Sequence, residues 1–131
     1  MKEHHPIPEE LDKLAAISVD AAYKVHRAIG PGLLESVYEA CFCHELRLRG
    51  LEIETQVDVP IMYEGLHLNS GLRLDILVGK RLIIELKAVE TIIPVFEAQL
   101  LSYLRLTQLR LGLLINFNVP LIKDGIRRII L

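Results

Sequence analysis

The chain has 131 residues, of which 51% are hydrophobic and 24% charged, and its formal net charge is −2. This balance fits one globular domain with its own core, and it excludes a disordered chain or one drawn to nucleic acid by overall charge. No apolar run reaches the ~18 residues of a membrane span, and the first ten residues lack the basic flank and apolar centre of a signal peptide. We therefore expect a cytoplasmic protein that does not cross a membrane.

The first part of the chain predicts a loose lead-in followed by two helices. Residues 1–10 form the lead-in, and residues 11–131 are expected to form a single domain. Apolar residues recur at three- and four-residue spacing over 11–29, which is typical of an amphipathic helix. The triplet Gly30-Pro31-Gly32 ends that helix, and a second helix over 33–49 completes an α-hairpin with a tight elbow. Cys41 and Cys43 point away from each other on the second helix, so we expect them to be unpaired core residues.

From residue 53 onward, alternating apolar and polar residues indicate strands. The predicted strands span 53–61, 66–68, 72–78, 81–89, 111–117 and 126–131, and a third helix spans 94–106. Turns are expected at 64–65, at 69–71 and at the Gly79-Lys80 pair, and a loop at 118–125. The last strand is expected at a sheet edge. The order α-α-β-β-β-β-α-β-β predicts the α/β (α+β) class, with a mixed central sheet flanked by helices.

Three charged residues lie inside the apolar strands at 72–78 and 81–89: Asp75, Glu85 and Lys87. Glu85 and Lys87 are two residues apart and therefore project from the same face of their strand. The hairpin turn brings Asp75 within reach of Glu85, so two carboxylates and one ammonium converge. Such a set suits phosphodiester hydrolysis, because carboxylates hold Mg²⁺ and a lysine can stabilise the transition state. A structural Lys–carboxylate bridge between the strands is the alternative explanation.

The charges are distributed unevenly along the chain. Residues 1–60 hold 6 basic and 11 acidic side chains, whereas residues 61–131 hold 9 basic and 6 acidic ones. The basic excess of the second half would suit a surface that faces phosphates. Scattered, solvated charges explain the same distribution equally well.

A G-x-x-E-x-x-Y motif occupies residues 32–38, at the elbow and the start of the second predicted helix. Further motifs follow in order: Arg73-Leu74-Asp75, Ile84-Glu85-Leu86-Lys87-Ala88-Val89, Glu97-Ala98-Gln99-Leu100-Leu101-Ser102-Tyr103-Leu104 and Gly112-Leu113-Leu114-Ile115-Asn116-Phe117. Together, over about residues 12–131, they resemble the GxxExxY protein family, which is assigned to the PD-(D/E)-x-K nuclease-like superfamily. The resemblance implies a restriction-endonuclease-like core with an N-terminal α-hairpin and a metal-dependent nuclease centre.

The resemblance also implies roles for individual residues. Asp75 and Glu85 correspond to the metal-binding acids, and Lys87 corresponds to the catalytic lysine. Leu74 stands where the superfamily usually has proline, a departure that removes no ligand. Glu35 resembles a helix-borne glutamate that many superfamily members contribute to the metal site. An acid in the first turn of a helix is also favoured by the helix dipole alone.

Three further candidates lie on the helices. Gln99 and Tyr103 resemble the Q-x-x-x-Y element of the exonuclease-like branch, in which these residues help to position the catalytic lysine and the DNA. They are four residues apart and share a helix face, although Tyr103 could equally be a core tyrosine. His26 matches a family position near which some relatives have a metal ligand, and an ordinary core or surface histidine is the alternative.

The expected function is therefore that of a nuclease that uses Mg²⁺ or Mn²⁺ to hydrolyse phosphodiester bonds in DNA, with single strands or ends as candidate substrates. The alternative is a catalytically silent nucleic-acid- or protein-binding module on the same fold. DNA is a more natural partner than RNA under the resemblance. We also expect a homodimer, because a domain of this size has little surface left for sequence readout.

Overall fold

The computed structural model describes residues 5–69 and 71–131. Its elements are α1 (Glu9–Ile29), α2 (Glu35–Leu48), β1 (Ile53–Asp58), β2 (Ile61–Tyr63), β3 (Leu66–Leu68), β4 (Arg73–Val78), β5 (Leu82–Lys87), α3 (Pro94–Thr107), β6 (Leu111–Asn116) and β7 (Ile126–Ile130). A short 3₁₀ helix (Ile122–Gly125) lies within the loop predicted before β7. The order is the predicted one, with the strand predicted over 53–61 divided in two. Residues 1–4 of the predicted lead-in and Ser70 of the predicted turn lie outside the described residues.

Two helices begin two residues away from their predicted starts. α1 begins at Glu9, inside the predicted lead-in, and the carbonyl group of Pro8 accepts hydrogen bonds from two of its first free amides, both at 3.0 Å. α2 begins at Glu35 rather than at residue 33, because Leu34 keeps an extended conformation with ψ 148°. None of the helices in the described ranges has the length and apolar character that crossing a membrane requires.

The main sheet has five strands in the order β1-β4-β5-β6-β7. β5 and β6 are parallel and are joined through α3, whereas the other neighbours are antiparallel, so the sheet is mixed as predicted. β7 lies at one edge, also as predicted, and β1 lies at the other. β2 and β3 form a separate two-stranded sheet, because Pro60 has no amide with which the pairing of β1 could continue.

Two apolar cores cover the two faces of the main sheet. Side chains of successive residues in β5 point to opposite faces: Ile84 and Leu86 pack in the core under α1 and α2, and Ile83 packs in the core under α3. Each fully buried side chain of this kind stabilises the fold by about 1.5–3 kcal/mol. Glu85 and Lys87 continue the alternation that Ile83 begins, so they belong to the α3 face at the end of the strand.

Candidate active site

The backbone pairing between β4 and β5 stops immediately before the two acidic residues. The last pair on that side is Ile76 with Ile84, and the next residues are Asp75 and Glu85. There the backbone amide of Asp75 donates a hydrogen bond to Glu85 Oε1 at 3.2 Å, and the amide of Leu86 donates to Asp75 Oδ2 at 2.9 Å. The two carboxyl groups thus accept amides that a regular ladder would give to backbone carbonyl groups. The structure therefore brings Asp75 and Glu85 together between the strands.

Strand β4 is distorted on its other side at the same point. The pairing with β1 is interrupted at Gln56, which lies opposite Asp75. Gln56 has φ 52°, in the left-handed region, where a residue other than glycine typically costs about 1–3 kcal/mol. Leu74 packs in the core under α3 and Ile76 in the core under α1 and α2, although residues two apart on a regular strand share a face. Strand β4 therefore rotates at Asp75.

Glu85 is a buried acid, with only 5% of the residue exposed. Burial, together with the charge and side-chain hydrogen bond of Asp75, raises the pKa of Glu85 from its ordinary 4.5 to about 9, against the opposing effects of the Asp75 amide and of Lys87. Without a bound cation, Glu85 is thus protonated at neutral pH. A positive charge placed beside it would remove most of the cost of its ionisation.

Lys87 lies beside this pair without forming a bridge to it. Its Nζ is 4.4 Å from the centroid of the Phe96 ring, a cation–π contact. Among the ion pairs of the described residues, none includes Lys87. Its charge nevertheless lowers the pKa of Glu85 and of Glu35. The alternative of a structural Lys–carboxylate bridge therefore does not describe this site.

Helices α2 and α3 both face the carboxyl pair. On α2, Glu35 is exposed as a residue, but partial desolvation of its carboxyl group raises its pKa, the charge of Asp75 raises it further, and Lys87 lowers it. On α3, burial raises the pKa of the Tyr103 hydroxyl, and the charges of Glu85 and Asp75 add to the rise. The pair therefore lies at the end of the sheet, between the first turn of α2 and the middle of α3.

The two remaining candidates are placed differently. Gln99 is exposed on α3, one helical turn before the buried Tyr103. His26 is buried at the end of α1, where its Nε2 lies 2.7 Å from the carbonyl oxygen of Val119. This hydrogen bond joins His26 to the loop after β6 and does not bring it to the carboxyl pair. The role of His26 as a metal ligand stays a prediction that its observed partner does not support.

Two residues near the site escaped the sequence analysis. Phe96, under the Lys87 ammonium, could have been predicted, since it is an aromatic residue in the first turn of the helix that follows the lysine strand. Nothing in the sequence predicts the conformation of Gln56, because its residue type does not favour a left-handed conformation within a strand. The side-chain amide of Gln56 donates a hydrogen bond to Glu39 Oε1 at 3.3 Å and so joins β1 to α2 beside Asp75.

For a divalent ion, the site offers two carboxylates rather than a complete cage. In the part of the chain that the structure describes, no three His, Cys, Asp or Glu side chains are grouped so as to hold a metal ion. Mg²⁺ is commonly held through one or two carboxylates and completes its shell with water and substrate phosphates. Asp75 and Glu85 fit such an ion, and Glu35 stands close enough to add negative charge. When bound, the ion would polarise a phosphoryl group and lower the pKa of a water molecule.

A mixed sheet flanked by helices, with an aspartate on one strand and a Glu-x-Lys sequence on the next, is typical of metal-dependent nuclease cores. The family model of the PD-(D/E)XK nuclease superfamily matches residues 12–129, and the chain belongs to this superfamily. Its restriction-endonuclease-like fold is thereby confirmed, and members of the superfamily generally use divalent metal ions. No curated protein and no solved structure matches the chain significantly. The narrower likeness to the GxxExxY family stays a prediction.

Proposed function

We propose that this protein is a nuclease that uses Mg²⁺ or Mn²⁺ to hydrolyse phosphodiester bonds in DNA. The crossing of Asp75 and Glu85 between β4 and β5 supports the proposal most directly, because it places a half-buried and a buried acid beside a lysine that forms an ion pair with neither of them. A structural ion pair would instead have joined the lysine to an acid. The proposal treats residues 11–131 as the single domain that carries the activity.

In this proposal the side chains divide the work. Asp75 and Glu85 hold the cation, and Glu35 adds negative charge from α2. Lys87 stabilises the charge that develops on the phosphoryl oxygens, and the ring of Phe96 keeps its ammonium in place without cancelling its charge. Water adds to phosphorus and one P–O ester bond breaks. The products are a phosphate monoester and a hydroxyl group, whose proton comes from the water.

Two residues of α3 have different roles in this proposal. Tyr103, buried against the carboxyl pair, positions Glu85 and Lys87, while the exposed Gln99 contacts the DNA backbone one turn away. We leave His26 out of the metal site, because its Nε2 already bonds to Val119. The free Cys41 and Cys43 suit a reducing compartment, and we place the protein in the cytoplasm.

Substrate and assembly are finer parts of the proposal. We favour DNA over RNA, with single strands or ends as candidate substrates, because this is what the resemblance of the motifs to nucleases implies. Because the domain has little surface for sequence readout, we also propose a homodimer, in which two copies would share the DNA. Sedimentation at high protein concentration tests this assembly, and a protein that stays monomeric would contradict the proposed homodimer.

The nuclease activity is tested by incubating labelled single- and double-stranded DNA with Mg²⁺ or Mn²⁺ and the protein. A Lys87→Gln variant should lose cleavage while it remains folded by circular dichroism. Lys80→Gln is the matched control, because Lys80 is an exposed lysine in the turn of the same hairpin. Absence of cleavage by the unmodified protein with both ions and both substrates would count against the proposal.

A second candidate is a catalytically silent protein-binding module. The β2–β3 hairpin favours it, since Met62, Tyr63, Leu66 and Leu68 are each between 43% and 67% exposed. Exposed apolar groups of this kind are typical of contact surfaces for other proteins. Retained folding without any cleavage would make this candidate the leading one.

A further inference from the structure

We propose that the four residues 116–119, here called the connector, act with Tyr38 to position Glu35 relative to Lys87. This inference rests on the proposed function of the site and extends it to residues that touch neither the cation nor the substrate. It also assigns a physical role to the tyrosine of the G-x-x-E-x-x-Y motif.

The first half of the connector is joined to the end of β5. The side chain of Asn116, which is 2% exposed, accepts a hydrogen bond from the Val89 amide at 3.1 Å and donates to the Val89 carbonyl oxygen at 2.9 Å. The amide of Phe117 donates to the carbonyl oxygen of Lys87 at 3.0 Å. The connector therefore holds the backbone both at Lys87, the last residue of β5, and at Val89, two residues beyond it.

The second half of the connector is joined to α1 and the elbow. Asn118 Oδ1 accepts a hydrogen bond from the Gly32 amide at 3.1 Å, and the Val119 carbonyl oxygen lies 2.7 Å from His26 Nε2. Phe117 stacks on the Tyr38 ring with centroids 4.7 Å apart and an interplanar angle of 6°. Within four residues, the connector thus contacts the lysine strand, the end of α1, the elbow and α2.

Tyr38 closes the elbow from the other side. Its hydroxyl group donates to the Gly30 carbonyl oxygen at 2.6 Å and accepts a hydrogen bond from the Leu33 amide at 3.1 Å. The residue is completely buried. Gly30 and Gly32 have φ 70° and 90°, conformations that glycine adopts freely and leaves equally freely. The bonds of Tyr38 and Asn118 therefore select one elbow shape out of many.

Glu35 depends on that shape because it is the first residue of α2. The preceding residue, Leu34, gives the helix no side-chain cap, so the first turn lacks the usual partner for its free amides. Tyr38 and Asn118 bind the chain just before that turn instead. The first turn of α2 is thereby held so that the carboxyl group of Glu35 lies within the electrostatic reach of Asp75 and Lys87, while the same connector holds the end of the lysine strand.

The test measures Mn²⁺ affinity by calorimetry for the full chain and three variants: Glu35→Gln, Tyr38→Phe and the double variant. Tyr38→Phe keeps the ring that stacks on Phe117 and removes only the hydroxyl group. Losses of supporting residues around metal sites weaken metal affinity by about 10-fold or more, and we expect about 10-fold for each single variant. In the Glu35→Gln background, Tyr38→Phe should add little, because its effect acts through Glu35. Tyr23→Phe is the matched control on α1 and should bind like the unmodified protein.

Each outcome decides the inference. Full Mn²⁺ affinity in Tyr38→Phe, or an equal loss with and without Glu35, would overturn positioning through Glu35. An unmodified protein that binds Mn²⁺ but cleaves no DNA would refute the nuclease proposal while the affinity comparison still tests the connector. An unmodified protein that binds no Mn²⁺ would overturn both. Thermal unfolding of each variant, followed by circular dichroism, shows that affinity is compared between folded proteins.

Discussion

Replacing Glu85 with glutamine should make the metal-free protein more stable at neutral pH. Glu85 is 5% exposed and has a pKa of about 9 in the fold, against an ordinary value of 4.5. The folded protein must therefore hold a proton that the unfolded chain releases. Glutamine needs no proton, and its side chain can still accept the Asp75 amide through its oxygen and donate to the Asp75 carboxylate through its nitrogen.

The size and sign of the effect follow from proton linkage. The protonated acid is favoured in the fold, so its contribution to stability is complete below about pH 4.5 and declines as the pH rises toward about 9. Each pH unit between these two values lowers the free energy of unfolding by about 1.4 kcal/mol. At about pH 7.5 the upper bound is therefore about 4 kcal/mol, and partial relaxation around Asp75 should leave a gain of a few kcal/mol for Glu85→Gln.

The assay is urea denaturation in the presence of a chelator, at several values between about pH 5 and pH 9. The difference in unfolding free energy between Glu85→Gln and the unmodified protein should grow with pH. Glu54→Gln, a change at an exposed position of β1, should show no such growth. A difference that stays constant across the range, or a variant that is less stable throughout, would refute the burial of a protonated Glu85.

Three further outcomes follow from the same structure. Divalent ions should bind more tightly as the pH rises from about 6 to 8, because binding releases the proton of Glu85; calorimetry in buffers of different ionisation enthalpy would detect that proton, and affinity independent of pH would contradict it. Asn116→Ala should lower the unfolding free energy by about 1–3 kcal/mol, because it strips the Val89 amide and carbonyl group of their partner; urea denaturation measures this loss, and a change below 0.5 kcal/mol, roughly the surface average, would be inconsistent with it. Gly125→Ala should destabilise the protein by more than about 1 kcal/mol, because the added methyl group would collide with the backbone oxygen of Asn116; thermal unfolding measures it, and an unchanged midpoint would show that the loop can move aside.

The sequence predicts most of the fold because its periodicities are local. The change from three- and four-residue spacing to alternation separates α1 and α2 from the strands, and Gly79-Lys80 identifies the hairpin of β4 and β5. That hairpin brings Asp75 near Glu85, but a two-residue turn would pair Val78 with Arg81 and so place Asp75 opposite Ile84. In the structure the turn has three residues, 79–81, and Val78 pairs with Leu82, which places Asp75 opposite Glu85. The division between β1 and β2 could also have been read from Pro60, which cannot donate to a ladder.

The rest of the site depends on contacts between distant residues, which no local pattern reports. Asn116 and Asn118 look like interruptions of an apolar strand, yet their side chains bind Val89 and Gly32. The resemblance predicts His26 as a metal ligand, and only the folded chain shows that His26 bonds to the loop after β6. Such partners are set by how α1 and the elbow fold back on the sheet end.

The opening of the sheet at Asp75 links the stability of the fold to the proposed metal site. A regular ladder through Asp75 and Glu85 would have satisfied the backbone amides with carbonyl groups and left both acids to project from the sheet. Here the strand rotates instead, Gln56 adopts a left-handed conformation opposite it, and the acids themselves accept the amides. In the metal-free protein this arrangement lowers the free energy of unfolding at neutral pH, because the buried Glu85 must be protonated. Since a cation would relieve that cost, its binding should both stabilise the fold and complete the site, whereas a purely structural cluster would be most stable without it.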